Sequence, residues 1–146
     1  MYKLNKLLLP SWRPMMCASR LYCDKQVRDL TNFPLIKMSE GKFKYIMAQV
    51  YIHGAMASAR EVIRGSSSQK YHIDIYDTLR KEAKQYDLCT QCTGGGYIVH
   101  DSQNKYLKIY GRSQAMGKAD HEKTREILSE KYPGYKIDAE PGDFEE

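Results

Sequence analysis

The chain has 146 residues, 42% hydrophobic and 28% charged, the balance of one globular domain with its own core; two separate cores of about 70 residues each would be marginal without disulfides or metal. The longest stretch free of Asp, Glu, Lys and Arg, Tyr45 to Ala59, is broken by Gln49, His53 and Gly54, and falls short of the roughly 20 apolar residues that span a membrane. The net charge of +5 gathers in residues 1–23, where Lys3, Lys6, Arg13 and Arg20 meet no acid, so the nearly neutral remainder predicts no nucleic-acid partner.

Residues 1–30 read as a basic, flexible leader, rich in Leu and Met and interrupted by Pro10 and Pro14. Mitochondrial presequences share that composition, and Arg20-Leu21-Tyr22 would suit a processing site, so a targeting role is the alternative. Four cysteines, two of them in the leader, do not make a disulfide framework. A reducing compartment, the cytoplasm, is expected.

A domain over residues 31–140 follows. Lys44 to Ile52 is dominated by β-branched and aromatic residues and predicts a central strand ending at His53-Gly54. Arg60 to Arg64 predicts a second strand, stopped by Gly65 and by Ser66-Ser67-Ser68, which supplies candidate helix caps. Tyr76, Leu79, Ala83 and Tyr86 recur at helical spacing and predict a helix over 71–86, with His72 beside its inward stripe.

Leu88 to Thr93 predicts a strand, and Gly94-Gly95-Gly96 either a turn or a close backbone approach. Tyr97 to His100 and Tyr106 to Tyr110 flank turn-forming residues and predict a hairpin. Gly111 to Lys118 reads as a loop, Asp120 as the cap of a helix to Lys131, and Tyr135 to Ala139 as a last strand before an acidic tail, 141–146. Strands alternating with two main helices predict a single compact α/β or α+β domain, a mixed sheet packed with helices.

None of His53, His72, His100 and His121 has zinc-type spacing to another ligand, so no metal is expected. Structural hydrogen bonding is the default for His53, His100 and His121. His72 differs: at a helix start, after a serine-rich loop, backbone N–H groups favour an anion and disfavour the imidazolium. That leaves a neutral ring able to act as base or nucleophile. Cys89-Thr90-Gln91-Cys92 is a CxxC, but its flanks predict a strand with two buried or half-buried thiols, not a redox helix start. The triple glycine lacks nucleotide-loop spacing, whereas Gly111 to Gly117, with Arg112, Ser113 and small residues, is a better anion loop.

Tyr71-His72-Ile73-Asp74-Ile75-Tyr76-Asp77, the triple glycine, and Tyr110-Gly111-Arg112-Ser113-Gln114-Ala115-Met116-Gly117 followed by His121 resemble the 14 kDa phosphohistidine phosphatase family, which includes the janus and ocnus proteins of flies. Phe43-Lys44-Tyr45 and Val62-Ile63-Arg64-Gly65 match in order and spacing, so the resemblance runs from about Pro34 to Ala139. It implies a compact α/β domain that removes phosphate from phosphohistidine in proteins or from small phosphoramidates, without metal or cofactor; the sequence offers no strong aromatic surface patch, so a monomer is expected. The resemblance carries the catalytic role to His72, places Lys44 and Arg64 at the phosphate, and makes Ser113 and Ala115 its hydrogen-bond donors. His121 is a candidate second proton carrier.

Positive charge and oriented donors around the phosphoryl oxygens are what such chemistry needs. One departure stands out: Tyr97 occupies a position where the enzymatically familiar members carry arginine, which removes a contact worth roughly 1.5 to 3 kcal/mol. Arg112, in place of an aromatic, is a candidate substitute. The resemblance therefore leaves two expectations, a phosphohistidine phosphatase using His72, or a weakly active or non-catalytic phosphoprotein-binding protein of sexual differentiation or the male germline.

Overall fold

The computed structural model describes residues 18–141, with side chains from Asp24 onward. Residues 1–17 of the leader and 142–146 of the acidic tail lie outside the described residues, while the Arg20-Leu21-Tyr22 triplet falls within the helix that starts at Ala18. The elements are α1 (Ala18–Asn32), β1 (Ile36–Lys37), β2 (Gly41–Ile52), β3 (Ala55–Ser66), α2 (His72–Lys84), β4 (Leu88–Asp101), β5 (Tyr106–Tyr110), α3 (His121–Lys131) and β6 (Lys136–Ala139). They form a single α+β domain with one mixed six-stranded sheet in the order β1-β3-β2-β4-β5-β6. None of the described helices is long and apolar enough to cross a membrane.

Alternation along β2 divides the core into two layers, because successive strand residues face opposite sides. Ile46, Ala48 and Val50 pack with Val62, with Ile75, Leu79 and Ala83 of α2, and with Leu30 and Phe33 at the end of α1. Phe43, Tyr45 and Met47 face the other way, against Ile63, Ile98, Leu107, Ile109 and Leu128 of α3. The inward stripe of α2 is His72, Ile75, Leu79 and Ala83. Tyr86 lies beyond the helix and is exposed, its ring edge-on to Phe33.

The 101–105 hairpin loop and the last helix follow the sequence reading: Asp101 accepts from Asn104 N, and Asp120 caps α3 by accepting from Lys123 N at 3.1 Å. Other elements depart from it. Helix α1 begins inside the segment read as leader, and its last turn is held by tertiary packing of Leu30, only 5% exposed. The serine cluster caps nothing: α2 starts after Tyr71 with no side-chain cap, and Ser66 belongs to β3.

The triple glycine makes no turn. It lies within β4, which runs unbroken from Leu88 to Asp101 as Met47, Ile46 and Tyr45 pair with Gly94, Gly95 and Gly96. Of the two readings, close backbone approach is the one the structure shows. A methyl on Gly95 would lie 2.9 Å from His72 Cδ2 and 3.0 Å from Ser113 Cβ, and one on Gly96 would lie 2.9 Å from His121 Cε1 and from Tyr110 O.

Gly96→Ala is expected to cost about 1–3 kcal/mol, the range for forcing atoms into a packed core, read as a lower urea midpoint at unchanged slope. A midpoint equal to wild type would show that the strand has room to give.

Candidate functional site

His72 is the first residue of α2 and is 7% exposed. Its Nε2 lies 2.9 Å from Gly96 O; a carbonyl only accepts, so Nε2 donates and the neutral ring keeps its lone pair on Nδ1. The ring meets Tyr97 edge to face at 5.6 Å. Burial pushes the His72 pKa down, the Gly96 bond opposes this, and the nearby Lys44 charge adds to the lowering. The favoured state near pH 7 is the neutral imidazole that the sequence predicts.

Lys44 faces the same side of the sheet, paired across β2 and β4 with Tyr97. Its Nζ donates to Lys70 O at 2.7 Å and stands 5.9 Å from the ring centres of both Tyr71 and Tyr97. The 111–119 loop docks on β4 from the β5 side: Gly95 N donates to Gly117 O, and Ala119 N to Gly95 O. Gly111, at φ 70°, allows the chain to turn out of β5.

Within the loop, Ser113 and Gly117 exchange backbone bonds, and Met116 N donates to Ser113 Oγ at 3.1 Å. The buried hydroxyl of Ser113 therefore keeps its own proton to donate. The N–H groups of Gln114 and Ala115 make no hydrogen bond among the described residues, and Ala115 is exposed. The missing side chain of Gly95 thus lets His72 and Ser113 approach the same point of β4, and the Lys44 charge acts on His72 from the same face of the sheet.

Two further candidates lie elsewhere. Arg64 is buried with all three of its nitrogens engaged: with Pro34 O at 2.7 Å, Ile63 O at 3.0 Å and Glu82 at 3.4 Å. Its guanidinium also covers the Phe33 ring. Glu82 stands ten residues beyond His72 on α2, about 15 Å along the axis, so Arg64 ties α2, β3 and the segment after α1 together and does not reach His72. His121 lies on the opposite face of the sheet; Nε2 donates to Gly111 O at 2.7 Å and Nδ1 is 2.7 Å from Tyr45 Oη. Both nitrogens serve the fold, and no described contact makes His121 a proton carrier for His72.

Arg112 is exposed. Tyr97 is half-buried and stacks on Tyr110 at 5.5 Å, and Lys108 Nζ stands 5.3 Å from the Tyr110 ring. Sequence reasoning gave no role to Tyr71, Tyr110, Lys70 or Lys108. The alternation Tyr106, Lys108, Tyr110 on β5, in register with Tyr97, is the signal that could have placed the last two.

Cys89 and Cys92 are free, half-buried strand thiols, as the sequence predicts, and burial pushes the Cys92 pKa up. His53 sits exposed in the β2–β3 turn. His100 is buried against Tyr132 and Tyr135, with Nδ1 at 3.1 Å from Ser39 O.

Comparison with known proteins defines the class. A family model described as Janus/Ocnus family matches residues 30–136. The sex-regulated protein janus-A of Drosophila melanogaster is 44% identical over 110 residues, 75% of this chain and 80% of the relative. Janus-A of Drosophila orena is 47% identical over the same shares, and janus-B of Drosophila pseudoobscura pseudoobscura 40% over 111 residues, 75% of this chain and 79% of the relative. The chain belongs to the Janus/Ocnus family.

In an NMR titration His72 is expected to titrate below the ordinary histidine value of about 6.5, and Lys44→Gln should move it upward. Because the fold favours the neutral ring, this residue's stability contribution is complete above that value and is lost as pH falls towards the lowered one. A His72 pKa at or above 6.5 would contradict the assignment.

Proposed function

We propose that the chain is a metal-independent protein phosphohistidine phosphatase. The observation that carries this reading is a buried imidazole with its lone pair on Nδ1, set beside the Ser113 hydroxyl, unpaired loop N–H groups and the Lys44 ammonium. The donors and Lys44 would hold the phosphoryl oxygens and offset their charge. Nδ1 would either take the phosphoryl group itself or accept a proton from the attacking water. Where water attacks, the proton that Nδ1 takes from it passes to the leaving imidazole nitrogen as the substrate's P–N bond breaks. Where Nδ1 takes the phosphoryl group, the substrate's P–N bond breaks as the new one forms and the leaving nitrogen is protonated from water. A second water then cleaves the phosphoenzyme to phosphate and free His72. No step requires a metal or cofactor, and the partners are proteins bearing phosphohistidine.

A second reading rests on the cation count. Arg64 is committed to Glu82 and Pro34, Tyr97 stands where an arginine was expected, and Lys44 is, among the described residues, the cation whose charge acts on His72. A site so equipped favours holding a phosphoprotein over turning it over. Because its relatives are named sex-regulated proteins, we place either activity in sexual differentiation or the male germline.

Phosphate release from a phosphohistidine peptide in EDTA at pH 7 to 8 tests both. Wild type should turn over, His72→Ala should lose about 100-fold or more, and Ser113→Ala about 10- to 100-fold. If wild type is inert while Tyr97→Arg releases phosphate, the binding reading holds.

A further inference from the structure

A hollow of about 320 Å³ adjoins the His72 site and shares Lys44 and Tyr97 with it. The rest of its wall includes Lys42, Lys70, Ser66, Ser67 and Gln69, and no carboxylate lines it. It contains neither His72 nor Ser113, so it lies outside the cradle proposed for the phosphoryl group. Its volume suits a ligand with several non-hydrogen groups better than a lone ion.

Other lysines of this chain meet carboxylates: Lys37 pairs with Glu82, Lys123 with Glu61 and Lys108 with Glu140. Lys44 and Lys70 do not, among the described residues. Both ammonium groups instead converge on the Tyr71 ring, at 5.9 and 5.2 Å from its centre, and that ring is 54% exposed. Lys44 is further held by Lys70 O, which fixes the 66–70 loop over the end of β2. The Ser67 backbone is anchored to Ser39 Oγ, while its hydroxyl has no partner among the described residues. Two like charges gathered at one aromatic ring, beside a hydroxyl with no partner among the described residues, repel each other, and an anion between them would relieve that repulsion.

We propose that this hollow binds acidic side chains of the polypeptide that carries the phosphohistidine, so that the substrate is a histidine flanked by aspartate or glutamate. The inference rests on the phosphatase reading and adds the sequence class of its substrate. Of the substrate, Lys44 contacts both the phosphoryl group and the flank, whereas Lys42, which also stands 5.9 Å from the Tyr110 ring, and Lys70 contact the flank.

The test compares two phosphohistidine peptides of equal length, flanked by Glu or by Gln, with phosphoramidate as a substrate that has no flank. Wild type should show a KM about tenfold lower for the Glu peptide, the scale that two exposed ion pairs supply. In Lys42→Gln/Lys70→Gln, both exposed sites, the two KM values should converge while phosphoramidate turnover stays unchanged. Equal KM values in wild type, or a Glu advantage that survives in the double variant, would overturn the inference.

If no substrate is hydrolysed, the phosphatase reading falls, and calorimetric Kd values for the same two peptides decide the hollow: a Glu preference lost in the double variant sustains it, and no preference overturns it. Displacement of the Glu peptide by a single-stranded oligonucleotide at matched anion concentration would also overturn it, since the site would then be a general polyanion surface.

Discussion

The approach of three segments to a strand stripped of side chains is the constraint on which the site depends. Gly94, Gly95 and Gly96 lie in the middle of the sheet, where a side chain would normally fill the space above and below. Without it, the start of α2 and the 111–119 loop reach the backbone on one face, and the start of α3 reaches it on the other. Gly95 makes sheet-like bonds to the loop while still paired with Ile46. The cost is the weak strand preference of glycine. The neighbouring strand residues Ile98 and Ile46, both fully buried, offset it.

One strand therefore serves two histidines in opposite ways. Gly96 O accepts from His72, whose other nitrogen is left for chemistry. Across the sheet His121 is locked between Tyr45 and Gly111, and the Tyr45 phenol, buried beside Thr124, has its pKa pushed up. Each histidine begins a helix, and both are more than nine-tenths buried. A place at a helix start does not by itself separate them. The difference arises from which face of β4 each reaches and whether a second hydrogen-bond partner waits there.

Elements built by local rules were legible in the sequence: the β2 strand, the stripe of α2, the hairpin around 101–105 and the Asp120 cap all rest on neighbours a few residues apart. So was the strand character of Cys89 and Cys92. What escaped depends on distant partners. Gly signals both turns and close approaches, and only the pairing of β4 with β2 decides between them. Arg64 sits in a motif that resembles a phosphate-site segment, yet Pro34, Phe33 and Glu82 come from two other segments to enclose it. Helix α1 has no strong apolar stripe of its own; Leu30 and Phe33 hold it through the core they join.

The junction after α1 decides how that helix reaches the core. Arg60 donates to the carbonyls of Leu30 and Thr31, closing the end of α1 against β3. Val27, one turn earlier, is half exposed, so the helix is clamped at its last turn. The family match also begins at residue 30. Among the described residues α1 joins the core at Leu30, so the part of the helix ahead of that clamp bears on the core and the pocket only through this last turn.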